Sequence, residues 1–340
     1  LEVISSTDQL LKGYEDQEAE YGRILNVIED TLQSDSEALA VIDDAAQFKE
    51  IVKAFSNIMG GLETAAAEDE FATGKDLQNH FYPLKGYTFI FDQRKFLILG
   101  QKGVGKTALF SALKNNEYAK ALAKYLNVST EQYEHTEWIA GTSRATNYID
   151  IFGCLTSEEQ IRGFLYYETL RILLEHDSSL KSLICNGSIG ELFDGPFKIE
   201  YCELLSGKTA YQLKKILEEV NKKYQERNHV VTIIYDALDR VVAPKNRSVF
   251  VSALIDMWYM NENTMQNIRS KIFLRKDIYD REVIVSDKVK LKNYSVTIAW
   301  EYDQLFAMVW KRAISRSDSV KNLYEKVMQK QVREVPELGY

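Results

Sequence analysis

The sequence contains few side chains that form disulfides or bind metal ions. Its three cysteines, Cys154, Cys185 and Cys202, lie 31 and 17 positions apart, and these spacings fit neither a disulfide framework nor a zinc site. The four histidines are also widely separated and share no metal-binding spacing. We therefore expect reduced thiols in a cytoplasmic protein, and structural or surface roles for the histidines.

Long hydrophobic runs are absent as well. The longest are strand-sized, at 96–99 and 230–235, so no membrane span is expected. The chain opens with Leu1 and has no basic-then-apolar leader, which indicates a segment of a larger polypeptide or a processed chain rather than a secreted precursor. With 45% hydrophobic residues, the chain has the composition of a folded protein and not of a disordered one.

The net charge of −8 is unevenly distributed along the chain. Residues 1–80 contain 18 acidic and 5 basic side chains, a charge of −13, so the rest of the chain carries +5. A charge of +5 over that length is too weak to indicate nucleic-acid binding by itself, and the acidic total does not exclude it.

Hydrophobic periodicity indicates how the chain is organised. Apolar residues at helical spacing predict two amphipathic helices, at 8–33 and 36–59. We divide the chain into an N-terminal helical arm at 1–61, a linker at 62–75, a globular domain at 76–316 and a C-terminal helix or tail at 317–340 that leads out of the domain.

Within the globular domain, predicted strands alternate with predicted helices. The strands are expected at 95–99, 230–235 and 271–274, and the helices at 106–126, 158–184, 210–227, 248–260 and 303–314. Such alternation is typical of an α/β fold with a parallel sheet covered by helices.

A glycine-rich motif follows the first predicted strand. Positions 100–107 have the pattern Gly-x-x-x-x-Gly-Lys-Thr between a strand and a helix, the order that a phosphate-binding P-loop requires. In such a loop backbone amides surround the phosphates, Lys106 contacts the β- and γ-phosphates, and the Thr107 hydroxyl binds Mg²⁺. The alternative, a glycine-rich turn with an incidental lysine, fits this context less well. The residues predicted to bind ATP are Gly100, Gln101, Lys102, Gly103, Val104, Gly105, Lys106, Thr107 and Ala108.

A second Gly-Lys-Thr sequence, at 207–209, is not predicted to bind phosphate. Cys202 stands where the first glycine of the motif would be, and no apolar strand precedes it. We expect a helix to start there, with Ser206 or Thr209 near the N-cap.

Two aspartates follow the second predicted strand. Asp236 ends an apolar run, a position from which a carboxylate binds Mg²⁺ beside a P-loop, although aspartates are also common in ordinary strand-to-helix turns. Hydrolysis needs a second group that orients or deprotonates the attacking water. Asp239 is the nearest candidate, and its alternative roles are a helix N-cap or a salt bridge to Arg240.

Arginines are candidates for contacts with the γ-phosphate. Arg275 follows the third predicted strand, where its guanidinium is placed to act as a phosphate sensor; the alternative is a surface arginine. Arg240, Arg247 and Arg269 are candidate arginine fingers for a neighbouring subunit. The predicted catalytic residues are Lys106, Asp236, Asp239 and Arg275, and the predicted Mg²⁺ ligands are Thr107 and Asp236.

The motifs at 66–70, 96–109, 236–240 and 273–277 resemble those of the STAND- and KAP-like branch of bacterial AAA+ P-loop ATPases, in particular ATPases of anti-phage defence gene clusters. The resemblance covers about residues 65–314. It implies an AAA+ fold and an ATP-driven oligomeric switch that senses a cue and controls an attached or neighbouring effector. The chain departs from the branch's Asp-Asp-Leu-Asp run at Ala237, where many relatives carry the catalytic acid.

Three functions are consistent with these residues. The first is an ATPase that acts as a homo-oligomeric switch or assembly engine for a protein effector or for further domains. A kinase for a small substrate is disfavoured, because there is no compact arginine-rich lid and the separation of Lys106 from Asp236 is long. The third is a nucleotide-dependent nucleic-acid-binding protein that uses a basic stretch consisting of Arg269, Lys271, Lys276, Arg281, Lys288, Lys290 and Lys292.

Overall fold

The computed structural model of the chain describes residues 81–142, 146–205, 207–285 and 287–316, with further positions at 318, 321, 322 and 325. The predicted arm and linker, and most of the predicted tail, lie outside the described residues. The chain divides into two compact units. One spans Gly86–Ala299, and residues 81–85 and the segment from Trp300 belong to the other.

The unit Gly86–Ala299 is built on a parallel β-sheet. In the described residues its strands are β1 (Leu97–Gly100), β2 (Thr136–Thr142), β3 (Val230–Tyr235), β4 (Ile268–Arg275) and β5 (Ser295–Ile298). Their order across the sheet is β2-β3-β4-β1-β5, and every neighbouring pair is parallel. The predicted α/β fold with a parallel sheet is therefore confirmed. The two edge strands, β2 and β5, escape prediction because they mix polar with apolar residues.

Helices connect the strands and cover the sheet. Those of the same unit are α1 (Lys106–Lys114), α2 (Asn116–Tyr125), α3 (Thr130–Tyr133), α4 (Ile149–Cys154), α5 (Glu158–His176), α6 (Lys181–Ile184), α7 (Lys208–Glu226), α8 (Pro244–Asn261), α9 (Lys276–Glu282) and α10 (Lys288–Leu291). The second unit contains α11 (Tyr302–Arg316), and in it the Lys311 ammonium donates to the Phe81 carbonyl over 2.7 Å. None of the described helices is long and apolar enough to cross a membrane.

Two predicted helices are interrupted by polar side chains that cap new helical turns. The helix predicted at 106–126 is divided at Asn115, whose side chain accepts two amide hydrogen bonds from the first turn of α2. The helix predicted at 158–184 ends at His176, and Asp177 then caps a short 3-10 turn. The prediction of one continuous helix in each place was therefore wrong. Apolar residues keep a helical spacing across both interruptions, so periodicity alone did not reveal them.

Strand β3 has the bounds that its sequence predicts, since its apolar and β-branched residues are buried on both faces of the sheet. Strand β4 is longer than predicted. It begins at Ile268 and ends at Arg275, because the polar residues Ser270 and Lys271 are buried together with the apolar ones. The first part of this strand was not predicted because its polar residues interrupt the apolar run.

Lys271 carries its ammonium group inside the fold. The residue is only 3% exposed, and its Nζ donates to the carbonyls of Asp92 and Lys95 over 2.6 and 2.9 Å. Burial, opposed in part by the Asp92 charge, lowers the pKa of Lys271 to about 7. In the unfolded chain this lysine keeps its proton up to its ordinary pKa near 10.5. The buried ammonium therefore destabilises the fold at neutral pH, and the destabilisation decreases as the pH rises.

We expect Lys271 to make the free energy of unfolding rise by about 1–3 kcal/mol between pH 7 and pH 10, because the folded state releases the proton first. Lys271→Met should abolish that rise. Chemical denaturation at several pH values measures it, and Lys222→Met, at an exposed position of α7, should keep the wild-type slope. If the free energy of unfolding changed equally with pH in wild type and Lys271→Met, the lowered pKa of Lys271 would be contradicted.

Candidate functional site

The glycine-rich loop joins β1 to α1 at the carboxyl edge of the sheet, where open parallel sheets bind ligands. Gly103 and Gly105 have φ values of +84° and +88°, which residues with a side chain rarely adopt. A Cβ at Gly103 would meet no atom within 4 Å, whereas one at Gly100 would come within 2.5 Å of the Val104 side chain. Two glycines therefore shape the turn, and the third allows close packing.

Lys106 is the first residue of α1 and is buried, with 9% of its surface exposed. Its Nζ donates to the carbonyls of Gly100 and Gln101, over 2.9 and 2.8 Å. Burial lowers the pKa of the ammonium group; the charge of Asp236 opposes this effect, and Arg275 adds to it. The lysine is thus folded into the loop that it is predicted to serve.

Asp236 follows β3 and is also buried, at 4% exposure. Burial raises the pKa of its carboxyl group, and hydrogen bonds from the Thr107 hydroxyl and the Ala237 amide oppose that rise, as does the Lys106 charge. Its Oδ2 atom has no hydrogen-bond partner among the described residues. An unpartnered carboxylate oxygen beside a hydroxyl has the ligand chemistry that Mg²⁺ prefers, so Asp236 and Thr107 fit the predicted metal site.

Arg275 ends β4 and lies opposite Gly100 in the register of β1 with β4. Its guanidinium donates to Asp277 at Nε–Oδ1 and Nη2–Oδ2 distances of 3.1 and 2.6 Å, and its Nη1 lies 3.8 Å from Asp239 Oδ2. Strand pairing therefore brings this arginine beside the glycine-rich loop, and two carboxylates hold it there. Sequence reasoning missed Asp277, although an aspartate two residues after a strand-end arginine was a usable signal.

Asp239 faces the same site from a turn. The residues after β3 do not become helical until α8 begins at Pro244, and the N-cap of that helix is Ala243. The charged partner that the structure gives Asp239 is Arg275 and not Arg240. Both alternative roles considered for Asp239, the helix N-cap and the pair with Arg240, are therefore wrong.

The other arginines lie in different places. Arg247, on α8, is held by Glu282 of α9 with its Nε 2.7 Å from Oε2, and the Asp239 charge also acts on it. Arg240 is exposed in the turn after β3, and Arg269 lies at the opposite, amino end of β4. Arg240 and Arg247 thus lie toward the carboxyl edge of the sheet, where the glycine-rich loop is. Arg269 lies at the amino edge.

The second Gly-Lys-Thr sequence begins a helix as the first does, and in both a glycine with a positive φ is the N-cap, but the surroundings of the two differ. Helix α7 begins at Lys208, as expected for a helix start, but its N-cap is Gly207, which has a φ of +56° and makes no side-chain cap. Thr209 lies near the cap as predicted, since it is the second residue of the helix, but it does not cap the helix with its side chain; Ser206 lies outside the described residues. Lys208 is exposed, and a 3-10 helix rather than a strand precedes it.

Ala237 has an unusual backbone conformation. Its φ of +57° lies in the left-handed region, which costs a residue with a Cβ about 1–2 kcal/mol relative to the right-handed one. The residue stands between the two aspartates of the site. The turn that aims Asp236 and Asp239 is therefore strained at this position.

No group of three or more histidine, cysteine or acidic side chains in the described part of the chain is placed to hold a metal ion. The predicted Mg²⁺ site is of another kind, since it takes one carboxylate, one hydroxyl and oxygens of the nucleotide itself. Comparison of the chain with protein families, with curated proteins and with solved structures found no match.

We expect Asp236→Asn to raise the free energy of unfolding of the nucleotide-free protein by about 1 kcal/mol, because it removes a buried charge with an unpartnered oxygen. The gain should be absent below the unfolded pKa near 3.8, where the wild-type carboxyl group is protonated in both states, and should grow as the pH rises through the raised pKa of the folded state. Urea denaturation measures it, with the exposed Asp194→Asn as the neutral control. A lower free energy of unfolding for Asp236→Asn at neutral pH would contradict the inference that the Asp236 charge destabilises the folded protein.

Ala237→Gly should stabilise the protein by about 0.5–1 kcal/mol, since glycine adopts a positive φ without strain. The matched change Ala253→Gly, inside helix α8, should destabilise it by a similar amount. Thermal or chemical denaturation compares the two variants. The same sign for both would contradict the left-handed conformation of Ala237.

Proposed function

We propose that the chain is a cytoplasmic AAA+-type ATPase that binds ATP and Mg²⁺ at the glycine-rich loop and acts as an oligomeric switch. The observation that carries the proposal is the convergence of Lys106, Thr107 and Asp236, from motifs far apart in the sequence, behind a loop whose glycines leave room for phosphates. The resemblance to ATPases of anti-phage defence clusters extends the proposal to control of a protein effector, or of further domains of the same polypeptide, in such a system.

Each side chain has a role that its position allows. The loop amides surround the phosphates at the start of α1. Lys106 exchanges its two carbonyl acceptors for oxygens of the β- and γ-phosphates. Thr107 and Asp236 hold Mg²⁺, which supplies neutralisation of the phosphate charge when it is bound.

We assign Asp239 to the attacking water. Its side chain is 29% exposed, so water reaches it, and its Oδ2 is 3.8 Å from Arg275 Nη1. A carboxylate oxygen that a guanidinium holds is less available to accept the proton of the attacking water. Slow hydrolysis follows, and it becomes faster when Arg275 is drawn toward a γ-phosphate or when a neighbouring subunit changes the pairing.

Arg275 also connects the nucleotide to two helices. Asp277, its bidentate partner, is in the first turn of α9, and Glu282 at the end of α9 binds Arg247 of α8. A γ-phosphate that competes with Asp277 for Arg275 would change how α9 is held against α8. This helix pair is our candidate for the element that reports the nucleotide to another subunit or to an effector.

The alternative of nucleic-acid binding gains little from the geometry of the basic stretch. Lys271 is buried, Lys276 is paired with Asp280, and Lys288 donates to three backbone carbonyls. Lys290 is paired with a neighbouring aspartate as well. These lysines do not form one open positive surface.

The proposal predicts that Lys106→Ala weakens ATP·Mg²⁺ binding by about 10–100-fold, because it removes charged hydrogen bonds to the phosphates. Asp239→Asn should bind ATP as wild type does, but its rate of phosphate release should be at least about 100-fold lower. Fluorescent-nucleotide titration, phosphate release and mass photometry with and without ATP·Mg²⁺ measure binding, turnover and assembly.

The second Gly-Lys-Thr sequence provides a matched control. Lys208→Ala changes the exposed lysine of the identical tripeptide at 207–209 and should leave nucleotide binding, turnover and assembly unchanged. Identical nucleotide binding in wild type, Lys106→Ala and Lys208→Ala would overturn the proposal. Binding and turnover without any change in assembly would leave an ATPase and refute the oligomeric switch.

A further inference from the structure

A polar cleft lies at the amino end of the sheet, opposite the edge that carries the glycine-rich loop. Its volume is about 260 Å³, and it is bounded by the turn before β1, the end of α8, the loop that follows α8 and the start of β4. Arg94, Asn261, Arg269 and Ser270 line it with polar groups, and Phe96 contributes an apolar wall. The proposed nucleotide chemistry makes no use of this cleft.

The cleft contains a guanidinium that lacks an acidic partner. Arg269 Nε donates to the Gln266 carbonyl over 2.7 Å, and among the described residues no carboxylate lies within ion-pair distance of its guanidinium. Burial alone lowers the pKa of Arg269 to about 10. Glu262 also lines the cleft, but it acts on the Tyr294 hydroxyl as a hydrogen-bond acceptor. A half-buried cation without a counter-ion is unfavourable, and a bound anion would reduce that cost.

Two buried polar atoms at the cleft also lack partners among the described residues. Ser270 is 4% exposed and Asn261 is 2% exposed, and neither Ser270 Oγ nor Asn261 Oδ1 makes a hydrogen bond. The Asn261 amide nitrogen is occupied, since it donates to the Met257 carbonyl over 2.7 Å. Each atom has less than 1 Å² of accessible surface, so both lie in a polar wall behind the cleft and are not direct contacts for a ligand.

The cleft is held in shape by Lys271. Its two hydrogen bonds to the carbonyls of Asp92 and Lys95 fix both ends of the turn that carries Arg94. The Asp92 carboxylate accepts from the Arg94 amide over 2.9 Å and tightens the same turn. The amino group of Lys271 therefore lies behind the cleft, and the turn is arranged before any ligand arrives.

We propose that this cleft binds a small oxyanion, a molecule that bears a carboxylate or phosphate group, between Arg269 and Arg94. The guanidinium of Arg269 presents parallel N–H groups that match two oxygens of either anion. Arg94, at the exposed side of the cleft, supplies a second guanidinium to the same anion. The site is separate from the glycine-rich loop and does not depend on the proposed ATPase activity.

Calorimetric titration of the full chain with inorganic phosphate and, separately, with malonate tests the proposal. All proteins carry Lys106→Ala, so that phosphate binding at the glycine-rich loop does not contribute. Adding Arg269→Gln should weaken binding at least about tenfold, and adding Arg94→Gln, at an exposed position, about threefold. Arg162→Gln, at an exposed position of α5, is the matched control and should leave the affinity unchanged.

Saturable binding of either anion with this pattern of variants supports the site, and the anion that binds more tightly identifies its chemistry. Circular dichroism and an unfolding curve check that Arg269→Gln is folded; if it is not, the Arg94→Gln and Arg162→Gln comparison decides. No saturable binding of either anion, or equal affinities in Arg94→Gln and Arg162→Gln, would overturn the proposal. Neither result depends on whether the chain hydrolyses ATP.

Discussion

The parallel pairing of β1 with β4 is the interaction on which the candidate site depends. It places Gly100, where the glycine-rich loop begins, directly opposite Arg275, where β4 ends. Strand β3 lies on the other side of β4 and delivers Asp236 and Asp239 to the same edge. Parallel strands end together, so one alignment of backbone hydrogen bonds gathers side chains from three distant parts of the chain.

The fold carries incompletely compensated charges at both ends of this sheet. At the carboxyl edge, burial shifts the pKa values of Lys106 and Asp236 toward their neutral forms. At the amino edge, burial does the same to Lys271 and Arg269. Folded proteins seldom keep such groups away from water without a partner, and those that do often use them to bind ligands, because the ligand supplies the missing charge.

The strain at Ala237 and the pairing of Arg275 act on the same few residues. A left-handed turn aims the two aspartates, and Asp277 holds the arginine that faces them. Under the proposed function, an entering phosphate would compete with these ion pairs for Arg275. In the proposed ATPase, the release of Asp239 and a rearrangement of α9 against α8 would be two consequences of one competition for Arg275.

The local sequence was sufficient for much of the fold and for part of the site. The bounds of β3 follow from a continuous apolar run, and the glycine-rich loop follows from residue types at fixed spacing between a strand and a helix. Polarity concealed the rest. Strands β2 and β5 mix polar with apolar residues at the sheet edges, the first half of β4 contains buried polar residues, and Asn115 interrupts a helix whose apolar period continues.

The sequence by itself determined which residues are suited to phosphate and metal chemistry, because glycine spacing and strand-end aspartates are local properties of the chain. Only the tertiary structure decided that Asp239 pairs with Arg275 instead of Arg240, and that Asp277 holds this arginine. It also decided that Lys271 is buried and Arg269 half-buried, neither with an ion-pair partner among the described residues. Ion pairs and burial depend on which strands become neighbours, and spacing along one chain does not encode that order.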